Sequence, residues 1–202
     1  MNEKKRELEE IDIAKLQKGD REEFAKFVDN YSGIIYGLIL KIVKDATEAE
    51  DILQETFIKV LKNLKGFEGR SSLSTWLYRI ATNEALMYLR KQKMIFNFDD
   101  NSNEDMEDFD VIDWCCLPEK EMISSETQEY LMTAVEKLSL SLQLVFHLRD
   151  LDGLSVRETA MVLDISESAV KTRLSRARMQ LRNELTNYFN IKFDLPEEVA
   201  HA

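Results

Sequence analysis

Proline and glycine are scarce, at two and six in 202 residues. A many-stranded sheet needs frequent tight turns, so this composition favours long helices instead. Cysteine is almost absent. Cys115 and Cys116 are adjacent, a pair that closes a disulfide only with strain. They lack the C-x-x-C spacing and four ligands of a structural zinc site, and neither His147 nor His201 is an evident partner. His147 reads as a helix residue near a core rather than as a general base. No phosphate-cradling glycine loop, metal-ligand cluster or nucleophile–histidine–acid set can be assembled. An enzyme is therefore the least supported class, and no cofactor or metal is expected. No apolar run reaches membrane-span length, and no apolar stretch follows the basic residues at the start. The patch at 34–40 is interrupted by Tyr36 and Gly37 and reads as a core helix. A cytoplasmic location with reduced thiols is expected.

The formal net charge of −11 is unevenly placed. Residues 94–126 hold eleven acids and one base, Lys120, for a net of −10. Residues 1–93 carry net +1 and residues 127–202 net −2. The acidity thus resides in one middle segment and says little against nucleic-acid binding by the parts on either side.

Apolar periodicity predicts helices over residues 11–93. Short amphipathic stretches fall at 13–17 and 22–31, and a nearly all-apolar helix at 34–43. Ala49, Ile52, Leu53, Phe57, Val60, Leu61 and Leu64 then recur at helical spacing. Thr47 can cap that helix, with Glu48, Glu50 and Asp51 favourable in its first turn. A last helix spans about 73–93, with Trp76, Leu77, Ile80, Ala81, Leu86 and Leu89 available for a core. Residues 94–126 show no steady period and read as a flexible linker. Helices return at 129–138 and at 142–151, the latter capped by Ser139 or Ser141. Ser155 and Glu158 have capping-box spacing and start a helix over 156–163. A turn at 164–166 leads to a long helix over 167–188. The expected fold is all-α: two small helical domains, residues 1–93 and 127–190, joined by a flexible acidic linker at 94–126. The C-terminal domain is a helix-turn-helix, and residues 191–202 form a tail.

The long helix carries the most informative pattern. Residues 168–182 contain Lys171, Arg173, Arg176, Arg178 and Arg182 and no acid. Val170, Leu174, Ala177 and Leu181 form an apolar column that would anchor the helix. The opposite face holds Ser168, Thr172, Ser175 and Arg176, flanked by Lys171, Arg173 and Arg178. A merely solvated helix face tends to mix signs at i,i+4, whereas this one is of one sign. A basic second helix behind a short helix and turn is how proteins enter the DNA major groove. Lysine and arginine hold phosphates there, and arginine can grip guanine edges with two bonds. Ser155 or Arg157 on the preceding helix can touch the DNA backbone.

The second informative stretch runs from Phe67 to Asn83. A Gly-flanked loop with an aromatic ring, hydroxyls and Arg70 precedes a helix carrying Arg79, Asn83 and Arg90. Unstacked bases are bound by aromatic stacking and by hydrogen bonds to their Watson–Crick edges. Trp76 reads as core. Periodicity alone leaves Phe67 and Asn83 open.

Four strings carry a family resemblance. They are Ala49-Glu-Asp-Ile-Leu-Gln-Glu-Thr-Phe57, Phe67-Glu-Gly-Arg-Ser-Ser-Leu-Ser-Thr-Trp-Leu-Tyr-Arg-Ile-Ala81, Leu154-Ser-Val-Arg-Glu-Thr-Ala160 and Val170-Lys-Thr-Arg-Leu-Ser-Arg-Ala-Arg178. In order and spacing they resemble bacterial RNA polymerase sigma factors of the sigma-70 family, extracytoplasmic-function (ECF) group, over residues 11–188. The resemblance implies a factor that binds core RNA polymerase and directs promoter-specific initiation. It implies that Asp51, Gln54 and Glu55 dock on the polymerase clamp helices. It further implies that Phe67 and Asn83 line a pocket for a base flipped from the −10 element, shaped by the loop at 68–74. Residues 155–178 would read the −35 element of promoter DNA. The linker would thread polymerase channels, a path that suits a flexible polyanion. Many members of the group are held by an anti-sigma factor, often membrane-bound, and this chain is compatible with one. Family members often carry proline where Ser139 stands.

Two other readings compete. One is a two-domain DNA-binding regulator that never joins polymerase, since the C-terminal motif alone also resembles response regulators. The other is a metal or thiol sensor built on Cys115 and Cys116.

Overall fold

Short acidic and hydroxyl side chains start most of these helices, and apolar periods decide how they stack. The computed structural model describes residues 10–95 and 125–193. Every regular element among them is helical, in agreement with the expected class. The sequence-derived linker and tail fall almost wholly on residues outside the described ones. The helices form two units.

The first unit contains α1 (Ile13–Lys18), α2 (Arg21–Val43), α3 (Ala46–Asn63), a 3₁₀ turn (Leu64–Gly66) and α4 (Leu73–Ile95). The Asp20 carboxylate accepts the N–H groups of Glu22 and Glu23, both at 3.0 Å, and so starts α2. The helix then runs unbroken through Gly33 and Gly37, where sequence reading expects two pieces. Each glycine costs a helix about 1 kcal/mol. Burial of Ile35, Leu38 and Ile39 outweighs that cost, because a cooperative helix follows its packing. Lys44 closes α2 in the left-handed conformation, with its N–H on the Leu40 carbonyl at 2.8 Å.

Asp45, not Thr47, caps α3. Its backbone is extended and its carboxylate accepts the Glu48 N–H at 3.0 Å, so Thr47 already lies inside the helix. The three long helices meet on Phe27, Ile39, Val60, Leu77, Ala81 and Ala85, all at 0% exposure. Phe27 meets Phe57 edge-on, with centroids 5.9 Å apart. Lys59 on α3 pairs with Glu84 on α4 at 2.5 Å. Leu61, expected in the core, is 50% exposed. The apolar stripe of α3 is wider than the face that α2 and α4 can cover.

The second unit contains α5 (Ser125–Lys137), α6 (Leu140–Phe146), a π-helical turn (His147–Leu151), α7 (Val156–Leu163) and α8 (Glu167–Phe193). Tyr130 on α5 stacks on Tyr188 of α8 at 4.0 Å, and Lys137 pairs with Glu184 at 3.1 Å. The hydrogen bond that Lys137 donates to Glu184 raises the Lys137 pKa above its ordinary value. Ser139 occupies the N-cap position of α6, yet its hydroxyl makes no cap bond and instead pairs with Ser141 at 3.2 Å. The corner is closed by Gln143, whose amide donates to the carbonyls of Glu136 and Leu138 at 2.8 and 2.9 Å. His147 is 6% exposed, consistent with a core position. The expected capping box is present. Ser155 Oγ accepts the Glu158 N–H at 3.2 Å, and Glu158 accepts the Ser155 N–H at 2.8 Å. Asp164 ends α7 at φ 57°, and Ser166 starts α8 by accepting the Ala169 N–H at 3.1 Å.

The two candidate caps of α3 separate cleanly by substitution. Asp45→Ala should cost about 1 kcal/mol in urea unfolding, whereas Thr47→Ala should stay within about 0.5 kcal/mol of the parent.

Candidate nucleic-acid interface

In α8 the predicted anchoring column is buried: Val170 and Ala177 at 0%, Leu181 at 4% and Leu174 at 7% exposure. That rotation leaves Ser168 and Lys171 exposed, with Thr172, Arg173, Ser175 and Arg176 half-buried beside them. Arg182 is exposed farther along the helix. Ser155 and Arg157, at the start of α7, are both exposed. The Ser155 hydroxyl oxygen already accepts the cap bond, which fixes its direction.

Arg178 has a charged partner within the unit. Its guanidinium grips Asp150 of the π-helical turn with two bonds, Nη2 to Oδ1 at 2.7 Å and Nε to Oδ2 at 2.9 Å. The Asp150 side chain is 7% exposed and that of Arg178 29%. This fork ties α8 to the π-helical turn through Arg178, one of the side chains expected to contact DNA. No periodicity signal reveals the partner, because Asp150 lies 28 positions away in a turn. Arg149, its neighbour, donates to the Leu154 carbonyl and closes the approach to α7.

In the first unit, Asp51, Gln54 and Glu55 all lie on the exposed side of α3. Ile58 and Leu61 continue that side at 44% and 50% exposure. The face is thus acidic and polar at one end and apolar at the other. Sequence reading missed Ile58 and placed Leu61 inside. Ile58 follows the buried pair Thr56 and Phe57, so it stands out of phase with the core, and that phase was the available signal.

The loop after α3 places Phe67 at 9% exposure against Trp76, with ring centroids 5.1 Å apart. Trp76 is half-buried rather than fully core. Gly69 turns the loop at φ 69°, and Glu68 pairs with Arg70 at 2.6 Å in a well-exposed position. Ser72 starts α4 by accepting the Thr75 N–H at 3.1 Å. Ser74 therefore belongs to the helix and not to the loop. Along α4, Arg79, Asn83, Met87 and Arg90 succeed one another at i+3 and i+4 spacing, all exposed. Phe67 and Asn83 thus differ: the ring is tucked beside Trp76, while the amide stands in the open two helical turns beyond Trp76.

No helix among the described residues is long and apolar enough to cross a membrane. No group of three or more His, Cys, Asp or Glu side chains among them is placed to hold a metal ion.

Comparison with known proteins matches the same two units. The family model for sigma-70 region 2 matches residues 27–94, and that for sigma-70 region 4 matches residues 128–181. The ECF RNA polymerase sigma-E factor of Haemophilus influenzae is 34% identical over 179 residues, covering 86% of this chain and 93% of that protein. The ECF RNA polymerase sigma factor SigW of Bacillus subtilis is 35% identical over 176 residues, covering 86% of this chain and 94% of that protein. Among solved structures, the sigma factor RpoE in complex with the anti-sigma factor NepR from Bartonella quintana has a TM-score of 0.62. It covers 82% of this chain and 98% of that chain at 21% identity, a likeness of fold.

The Asp150–Arg178 fork can be tested as a unit. Either Asp150→Ala or Arg178→Ala should cost about 3 kcal/mol, because each leaves a mostly buried charge alone. The double variant should lose little more than either single one in a urea-unfolding cycle. Full additivity would show that the two side chains act independently.

Proposed function

This chain belongs to the ECF RNA polymerase sigma factors of the sigma-70 family, and we infer that it binds core RNA polymerase and directs it to chosen promoters. The observation that carries the DNA reading is the one-sign face of α8, turned outward by burial of its apolar column. Lys171, Arg173 and Arg176, with the hydroxyls of Ser168, Thr172 and Ser175, contact the −35 element. Ser155 and Arg157 add backbone contacts from α7. Each wrong base pair under this helix costs about 1–3 kcal/mol.

The exposed face of α3 docks on the polymerase through Asp51, Gln54 and Glu55, extended by Ile58 and Leu61. Apolar side chains at about half exposure are costly to leave in water, and a partner that covers them gains about 25 cal/mol per Å² of buried apolar area. The loop at Phe67, with Arg70, Arg79 and Asn83, receives a base extruded from the −10 element. Base flipping costs a few kcal/mol, and stacking at about 1–3 kcal/mol per base offsets much of it. The Phe67 ring is 9% exposed and tilted 47° against Trp76, so the base stacks on the pair rather than on Phe67 alone. Sequence choice and strand opening become one event, driven by capture of thermal openings. The chain itself performs no chemical step in this scheme. It acts where the polymerase is, in the cytoplasm. An anti-sigma factor that covers the α3 face would compete with core polymerase.

A regulator that works without polymerase is less well supported, because region 2 and the acidic–apolar face of α3 have no use in it. Two variants test the division of labour. Arg176→Ala should weaken promoter binding and relax discrimination at the duplex element, with core affinity unchanged. Asn83→Ala should leave closed complexes intact while permanganate footprints of the opened strand weaken. Wild-type footprints for Asn83→Ala would remove it from the base pocket. A chain that fails to co-purify with core polymerase would overturn the whole reading.

A further inference from the structure

The loop that carries Phe67 is tied to a distant part of the unit. Helix α1 lies against the 3₁₀ turn at its base. From α1 the Gln17 side chain reaches the loop, and its Nε2 donates to the Phe67 carbonyl at 2.7 Å and to the Leu64 carbonyl at 3.3 Å. An amide nitrogen carries two hydrogens, and both are engaged. The Leu64 carbonyl also accepts the Phe67 N–H at 3.1 Å. One side chain, 47 and 50 positions away in sequence, therefore holds the backbone on both sides of the turn.

Helix α1 is itself well anchored. A helix of six residues has no stability of its own. Leu16 is 2% exposed and pins one side of it to the unit. At its start the Asp12 N–H donates to Glu23 of α2 at 2.9 Å, and Glu23 is 4% exposed. Gly19 ends the helix at φ 83°, with its N–H on the Leu16 carbonyl at 2.9 Å. The short helix is thus a strut, held by α2 at one end and by the loop at the other.

We propose that Gln17 is a positioning residue for promoter opening: by fixing the Leu64 and Phe67 carbonyls it sets the orientation of the Phe67–Trp76 pair that receives the unpaired base. The inference rests on the reading of this loop as the base-capture site. The physical argument is local. The Phe67 side chain leaves the backbone next to the carbonyl that Gln17 holds, so a rotation of that peptide moves the ring. Burial keeps the ring against the protein, but burial is non-directional and does not fix its tilt. Two hydrogen bonds from a rigid element do. Small displacements of a positioned group have large consequences for the step it serves.

The test uses holoenzyme reconstituted from core polymerase and the full chain. Gln17→Glu keeps the shape but has no N–H to donate, Gln17→Leu removes the donors without adding charge, and Gln17→Lys keeps donors at the end of a flexible stem. Core affinity and closed-complex binding should match the parent for all three. Permanganate-detected opening should fall about tenfold for Gln17→Glu and Gln17→Leu, as for loss of about two hydrogen bonds, and should largely return for Gln17→Lys. Parental opening by both Gln17→Glu and Gln17→Leu would overturn the proposal. So would a fall in core affinity in step with opening, which marks a purely structural role. Phe67→Ala, run in parallel, separates the two levels. If Phe67→Ala also opens normally, the base-capture reading itself fails. If Phe67→Ala loses opening and the Gln17 variants do not, only the role of Gln17 falls.

Discussion

A helix can give its core only one face, and in this protein that rotation decides what every functional side chain can reach. In α8 the buried positions are Val170, Leu174, Ala177 and Leu181. Once they are inside, Ser168 and Lys171 stand clear of the core, with Arg173 and Arg176 at its margin. In α3 the buried positions are Ala49, Ile52, Thr56, Phe57 and Val60, which turn Asp51, Gln54, Glu55 and Ile58 outward. In α4, burial of Leu77, Ala81 and Ala85 leaves Arg79 and Asn83 exposed. The non-directional hydrophobic term orients polar groups that carry the directional work.

The charge distribution obeys the same logic. A chain of net −11 presents a cationic helix because its acids are concentrated elsewhere in the sequence. Phosphate contacts act at short range, and screening reduces exposed charges to neighbours within about 8 Å at physiological salt. Global acidity then affects solubility and encounter more than the contact itself. Binding that depends on a few lysines and arginines should weaken steeply with salt. The α3 face differs, since apolar Ile58 and Leu61 lie beyond its acids, and burial of apolar area does not weaken with salt in that way.

Much of the molecule is legible in the spacing of its residues. The apolar column of α8 and the capping box of α7 come from spacing alone. Spacing cannot give anything decided by a partner far away in sequence. Leu61 fits the helical period of the core yet has nothing to pack on, because only the assembled bundle determines how wide a stripe is covered. Thr47 and Asp45 are both acceptable caps by composition, and the extended backbone at Asp45 settles the choice. Gly33 and Gly37 suggest a break that burial of their neighbours overrides. Gln17 gives no signal at all, since its role is visible only when α1 lies against the turn after α3.

The π-helical turn shows how such distant partners shape function. Helix α6 lasts seven residues, and the chain then widens. The Asp152 N–H bonds the His147 carbonyl, five residues back, at 2.8 Å. One extra residue in a turn rotates the chain beyond it by about 100° relative to a continued α-helix. In this structure the turn sets Asp150 against Arg178. The fork is not primarily a source of stability, because a well-packed apolar pair of similar volume often does as well. Its two bonds add a directional contact to the apolar column that already sets the rotation of α8. The fork also engages one of the five cations at 168–182, whose side chain stays partly exposed. The acid in the turn therefore engages one basic side chain of α8 within the unit, and that contact depends on where the π-helical turn places the carboxylate.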